Sequence, residues 1–165
     1  MAVEEVRQRR RTCGTITLAS YNIRDGRRGG VNSAARALRK GRIDVAVVQE
    51  TKIVDATFAP RKYRGYTIRV TPPIGKNCGG VGLLVRETDH FVVENVAVKG
   101  PNVISFQLVT GEEERWHVVG AYFPPSDRDG KARWLAIAAL DDAPSGTKPL
   151  LVGDLNSDLN FPRNR

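Results

Sequence analysis

The sequence predicts an α+β (α/β) sandwich. Three observations carry this prediction. Short apolar runs separated by glycine and proline fill the middle of the chain in meander order. Two segments instead repeat their apolar residues at helical spacing. One run, IDVAVVQE, is continuously apolar and reads as a strand buried on both faces. Mixed strands with two or three helices fit packed layers of sheet and helix.

TITLASYNI, Thr15 to Ile23, reads as the first strand, and DGRRGG breaks it with Gly26, Gly29 and Gly30. Val31, Ala34, Ala35 and Leu38 then recur at i, i+3, i+4 and i+7, which predicts a helix. Asn32 or Ser33 is its expected cap and Gly41 its expected end. After IDVAVVQE, the segments YTIRV, GGVGLLVR, FVVENVAV and NVISFQLV read as strands, punctuated by Pro72, Pro73, Gly100 and Pro101. Ile104, Phe106 and Leu108 alternate with Ser105 and Gln107, so one buried face is expected there. TGEEE reads as a hairpin turn into RWHVVGAYF. A second helix, KARWLAIAALDD, carries a stripe of Ala132, Leu135, Ala136 and Ala139, and PLLVGD is the final strand.

At 165 residues the chain fits one domain and can bury a sizeable core. Neither the apolar fraction of 41% nor the 27% of charged residues points to a disordered chain. Lys and Arg total 26 against 18 acids, and the net charge of +8 favours polyanions, nucleic acid above all. Cys13 and Cys78 stand in no ligand spacing. That argues against a disulfide scaffold and a zinc site, and suits a reducing compartment. No apolar run is long enough to span a membrane. The N-terminal MAVEEVRQRRRT lacks the apolar core of a signal peptide. The expectation is a nuclear or cytoplasmic protein with no membrane partner, not a secreted one. Residues 1–14, with Arg7, Arg9, Arg10 and Arg11, read as a basic flexible tail. A nuclear address or nucleic-acid arm is the alternative there.

Four of the expected strands end in groups suited to a metal or a phosphate. The first ends at Asn22. The second ends at Gln49 and Glu50, followed by Thr51 and Lys52. The third ends at Tyr122 before Phe123, Pro124 and Pro125, and the fourth at Asp154 and Asn156. Ligands of such sheets gather beyond the carboxyl ends of strands. Glu50 and Asp154 are hard oxygen donors of the kind Mg²⁺ takes. Asn22, Asn156 and Tyr122 offer hydrogen bonds to orient a phosphate. Residues two apart in an extended segment point the same way, so Asp154 and Asn156 are expected to face one site. Taken singly, each has a plainer explanation: an acid after a strand often forms a turn, and a tyrosine before Pro-Pro often packs half-buried.

SYNIRDG, DVAVVQETK, GGVGLLVR, VVGAYFPPS and LLVGDLNSD, in that order, resemble the endonuclease/exonuclease/phosphatase superfamily. Within it they look most like the apurinic-endonuclease-like endonuclease domain of non-long-terminal-repeat retrotransposons. The resemblance runs from about Thr15 to Asp158. It implies a four-layer sandwich of two mostly antiparallel β-sheets flanked by helices. It also implies Mg²⁺-dependent hydrolysis of phosphodiesters in DNA, with Mn²⁺ as a substitute. By resemblance Glu50 is the metal ligand and Asn22 assists it. Tyr122 contacts the phosphate, and Asp154, with Asn156 beside it, activates the attacking water.

Two departures stand out. Arg24 occupies the place where repair-type members carry a second polar or acidic residue, so a metal role is not expected there. With Lys52 it is instead a candidate nucleic-acid contact. The family also ends in a Ser-Asp-His motif whose histidine is central to catalysis, and this sequence carries only His90 and His117. His90 lies far from the motif's place, and His117 precedes Tyr122 by an odd separation, which puts the two on opposite faces of a strand. Residues 15–165 are therefore expected to form a partial domain, incomplete at its C-terminus and weak or inactive. Its sheet edge beside the Asp154 strand would be exposed and open to self-association. Two other readings stay open: a non-catalytic nucleic-acid-binding remnant, and a phosphatase acting on inositol phosphates or lipid head groups.

Overall fold

The computed structural model describes residues 15–73, 78–110, 114–125 and 129–156. The basic tail at 1–14, the tip of the TGEEE turn and the residues after Asn156 lie outside them. The chain runs β1 (Leu18–Asn22), a 3-10 turn (Arg27–Gly29), α1 (Gly30–Lys40), β2 (Val45–Gln49), β3 (Arg61–Tyr63), β4 (Tyr66–Val70) and β5 (Val81–Arg86). It continues through β6 (Phe91–Gly100), β7 (Val103–Thr110), β8 (Arg115–Tyr122), α2 (Lys131–Asp141) and β9 (Lys148–Asp154).

The strands form two sheets, ordered β1-β2-β5-β4-β3 and β6-β7-β8-β9. Neighbours pair antiparallel except β1 with β2 and β8 with β9. Each parallel pair is joined by a helix, as a parallel connection requires. Strand parity explains the layering. Val45 and Val47 of β2 point inward with Val81 and Leu83 and meet Phe106, Ile104 and Val118 of the other sheet. The alternate residues, Ala46 and Val48, point outward with Tyr66 and Ile68 onto Val31, Ala35 and Leu38 of α1. On the far side Val119 and Ala121 of β8 pack against Ala132, Ala136 and Ala139 of α2. Three apolar interfaces thus separate four layers: helix, sheet, sheet, helix. The expected four-layer sandwich is the fold.

Gly120 lets the two sheets approach. A Cβ there would lie 2.8 Å and 2.9 Å from the Val47 methyls, well inside van der Waals contact. This draws β2 and β8 together close to their carboxyl ends, where the candidate residues emerge.

Several local expectations need correction. β1 is shorter than Thr15–Ile23, because only Leu18–Asn22 has a partner in β2. Helix α1 is capped by Gly29 at φ 87, and Asn32 and Ser33 lie inside its first turn. The glycine takes the left-handed turn that a side-chain cap would resist. β7 does not have a single buried face: Ser105 is buried beside Ile104 and Phe106, because α2 covers the opposite side. β3 is an added edge strand, folded back on β4 through Arg64 and Gly65, both at positive φ. No described helix is long and apolar enough to cross a membrane.

Candidate active site

The two parallel strand pairs end on the same side of the sandwich. β1 and β2 stop in register at Asn22 and Gln49, with Glu50 next. β8 and β9 stop in register at Tyr122 and Asp154. The structure gathers Asn22, Glu50, Tyr122 and Asp154 there. The Asn22 side-chain amide donates to Glu50 Oε1 at 2.9 Å and to Asp154 Oδ2 at 2.7 Å. Tyr122 donates its hydroxyl to the same Glu50 Oε1 at 3.0 Å.

Backbone geometry aims these groups. Arg24 takes φ 59, which turns its N–H back to donate to Asn22 Oδ1 at 2.8 Å. With its oxygen so engaged, Asn22 presents both amide hydrogens to the two carboxylates. The Arg24 guanidinium is exposed and makes no bond among the described residues. Glu50 itself sits at φ 57 and Lys52 at φ 53. Left-handed non-glycine residues cost on the order of 1–3 kcal/mol and persist where surrounding contacts hold them. Here the holding contacts are backbone bonds from Thr51 N–H to the Gly80 carbonyl and from Lys52 N–H to the Gly79 carbonyl. Gly80 N–H in turn donates to Asn102 Oδ1 at 2.9 Å, and the Asn102 carbonyl accepts the Tyr122 N–H at 2.9 Å. Asn102, only 2% exposed, therefore couples the Glu50 loop to the end of β8. Sequence reasoning missed its role. The Gly-Gly doublet opening GGVGLLVR was the available signal for so close a backbone approach.

Lys52 is not a solvated lysine. Its Nζ lies 2.8 Å from Glu50 Oε2, with both side chains about four-fifths covered. Burial alone would raise the Glu50 carboxyl. The bonds from Lys52, Asn22 and Tyr122, together with the Lys52 charge, outweigh burial and hold it below its ordinary value. Tyr122 moves the other way. Burial, the bond to Glu50 and the charges of Glu50 and Asp154 push its hydroxyl well above the usual phenol range, so it stays a donor at neutral pH.

Asn156 departs from expectation. The strand ends at Asp154 and Asn156 turns to φ 38, so the two side chains do not share one extended face. The Asn156 amide donates to the Phe123 carbonyl at 3.0 Å, and its N–H reaches Asp154 Oδ1 at 3.3 Å. It buttresses Asp154. Gln49 is wholly buried, and its amide donates to Ser20 Oγ and the Val47 carbonyl, away from the site. His117 faces α2, with Nε2 2.8 Å from the Ala139 carbonyl, and His90 lies exposed at the turn before β6. Among the described residues, the bond of His117 leads away from the site.

The carboxylates suit a hard cation. Among the described residues no three His, Cys, Asp or Glu side chains cluster. Glu50 with Asp154 nearby fits an ion such as Mg²⁺, which takes one or two carboxylates and keeps much of its water.

The paired strand ends of this two-sheet sandwich converge on acid, amide and phenol groups. Residues 19–165 match the Endonuclease/Exonuclease/phosphatase family, and the chain belongs to it. No curated protein sequence matches. The AP endonuclease LMAP from Leishmania major superposes with a TM-score of 0.62 at 16% identity, covering 93% of this chain and 62% of that one. The endonuclease domain of TRAS1, a telomere-specific non-LTR retrotransposon, gives 0.58 at 16% identity, covering 87% and 60%. D. rerio TDP2, complexed with single strand DNA product, gives 0.60 at 14% identity, covering 87% and 61%. At these identities the likeness is one of fold. The chain spans about three-fifths of the length of these structures.

Proposed function

We propose that this chain carries the larger part of a divalent-metal-dependent phosphodiesterase site acting on DNA, of the retrotransposon endonuclease kind. The observation that carries the reading is the Asn22 amide held between Glu50 and Asp154, with the Tyr122 hydroxyl on Glu50. Glu50 would hold Mg²⁺ or Mn²⁺, with Asn22 beside it. The ion would supply a positive centre that offsets charge gathering on the phosphate oxygens. Asp154, oriented by Asn22 and Asn156, is placed to take a proton from a water at its Oδ1. Tyr122, kept protonated, would donate to a phosphate oxygen once its hydrogen leaves Glu50 Oε1. Arg24 and Lys52 add positive charge at the rim, in keeping with the net +8.

Nicking of supercoiled plasmid in Mg²⁺, against an EDTA control, tests this. The 165-residue chain and a form extended by a Ser-Asp-His segment are compared. Slow Mg²⁺-dependent nicking that rises in the extended form, and falls about a hundredfold or more in Asp154→Asn, supports the reading. Intact plasmid in both forms counts decisively against it.

Lys52 already lies on a Glu50 oxygen, and His117 bonds the Ala139 carbonyl away from the site. These facts favour, as a second reading, a nucleic-acid-binding protein without cleavage. Salt-dependent DNA binding with no nicking in either form would select it. Phosphate release from a soluble inositol phosphate would instead select the phosphatase reading; ANGEL2, a 2′,3′-cyclic phosphatase, shares the fold. Among the described residues no strand pairs with the outer edge of β9, where Leu150, Leu151 and Val152 remain part-exposed; that edge would be a further template for self-association, measurable by light scattering.

A further inference from the structure

We infer that a cleft beside the candidate active site is a subsite for one unstacked nucleotide next to the phosphate being cut. Unpaired or locally opened DNA is then the substrate class. The inference rests on the phosphodiesterase reading and deepens it.

The cleft has a volume of about 570 Å³ and lies between the 3-10 turn Arg27–Gly29 and the segment from Lys52 to Arg61. Ile68 and Val70 of β4 form its floor, and Ile53, Val54 and Phe58 contribute walls. Val54 leaves 52% of its surface exposed, unusual for a large apolar side chain. Arg28 and Arg61 stand at the rim, exposed and without an ion pair among the described residues. Asp55 is the acid among the lining residues. Asn32 also lines the cleft, and its side-chain oxygen has no donor partner.

Two features tie the cleft to the site. Lys52 lines it and also pairs with Glu50 Oε2 at 2.8 Å, so the cleft opens beside the candidate metal ligand. Its chemistry is that of a nucleotide. Apolar walls accept the face of a base, which is sequence-tolerant because every base has one. Two unpaired arginines neutralise flanking phosphates. A cavity of this size is in the range of small-ligand sites, and a base enters such a cleft only after leaving the stack.

Fluorescence anisotropy of a labelled single-stranded 12-mer and its matching duplex, in EDTA, tests this without requiring cleavage. The Arg28→Ala/Arg61→Ala variant removes the rim charge. Ala59→Trp fills the cleft from an exposed lining position without changing charge. Arg39→Ala/Lys40→Ala removes two charges from the far end of α1 as the electrostatic control. The expected result is tighter binding of single strand than duplex. The rim variant should weaken the single strand about fivefold or more and lower the salt slope by about 1.4. Ala59→Trp should weaken it similarly with the slope unchanged, and the control should change it less than twofold. Equal binding of the two DNAs, binding unaffected by Ala59→Trp, or a control as damaging as the rim variant would overturn the subsite. Thermal melting of each variant identifies any loss that is merely unfolding. If these shifts appear in a chain that nicks nothing in either form, the cleft stands as a nucleotide site and the phosphodiesterase reading falls.

Discussion

Asn22 and Asp154 are 132 positions apart, yet the Asn22 amide donates to Asp154 Oδ2 at 2.7 Å. That bond crosses from one sheet to the other, and the second amide hydrogen goes to Glu50. One side chain therefore separates two carboxylates that would otherwise repel. Asn22→Ala removes it and leaves their charges facing each other. The expected cost is about 1–3 kcal/mol in urea denaturation. Cleavage by the extended form should also fall about a hundredfold. A variant with unchanged stability and rate would show that the bridge does nothing.

If Glu50 holds a divalent ion as proposed, Lys52, on Glu50 Oε2, competes with that ion for the carboxylate. Lys52→Met removes the competitor and keeps the aliphatic stem. Mn²⁺ binding, followed by electron paramagnetic resonance, should tighten by about threefold to tenfold. Glu50→Gln should abolish it. Weaker Mn²⁺ binding in Lys52→Met would mean that Lys52 supports the metal instead of displacing it.

The Glu50 carboxyl titrates below its ordinary value of 4.5 in the folded chain. A group whose folded pKa is depressed contributes stability above its unfolded pKa, and this is lost as pH falls through the folded one. The melting temperature of the native chain should therefore drop below about pH 4.5 more steeply than that of Glu50→Gln. Parallel acid limbs would place the source elsewhere.

Tyr122 gives the opposite limb. Its folded pKa lies above the ordinary value of 10.0, so above pH 10 the unfolded chain releases a proton that the folded chain keeps. Stability must fall as pH rises through that range. Tyr122→Phe should flatten part of the decline, and its absorbance titration at high pH should lose one late phenol. Tyr66, raised chiefly by burial, should remain.

Gly80 holds the Glu50 loop from below. It takes φ 85, and a Cβ would lie 2.3 Å from Thr51 Oγ1. Gly80→Ala should cost about 2–4 kcal/mol. In a folded remnant, Mn²⁺ affinity should fall too, because Thr51 stands between Glu50 and Lys52.

Local pattern made much of this architecture legible. The continuous apolar run at Val45–Gln49 identified a strand covered on both faces, and helical spacing at Val31, Ala34, Ala35 and Leu38 identified α1. Strand ends could likewise be read at Asn22, Glu50, Tyr122 and Asp154, because a polar group after an apolar run is visible without knowing the run's neighbours. What stayed hidden was non-local. That β1 and β9 lie side by side, so that Asn22 reaches Asp154, follows from how two sheets stack. The Lys52 pairing and the withdrawal of Asn156 to Phe123 depend on left-handed turns at non-glycine residues, which propensity disfavours and tertiary contacts enforce. The sequence alone determined which side chains were available and at which strand ends. The tertiary structure decided which of them meet, because hydrogen-bond partners and a cleft's walls come from segments whose separation in sequence carries no distance.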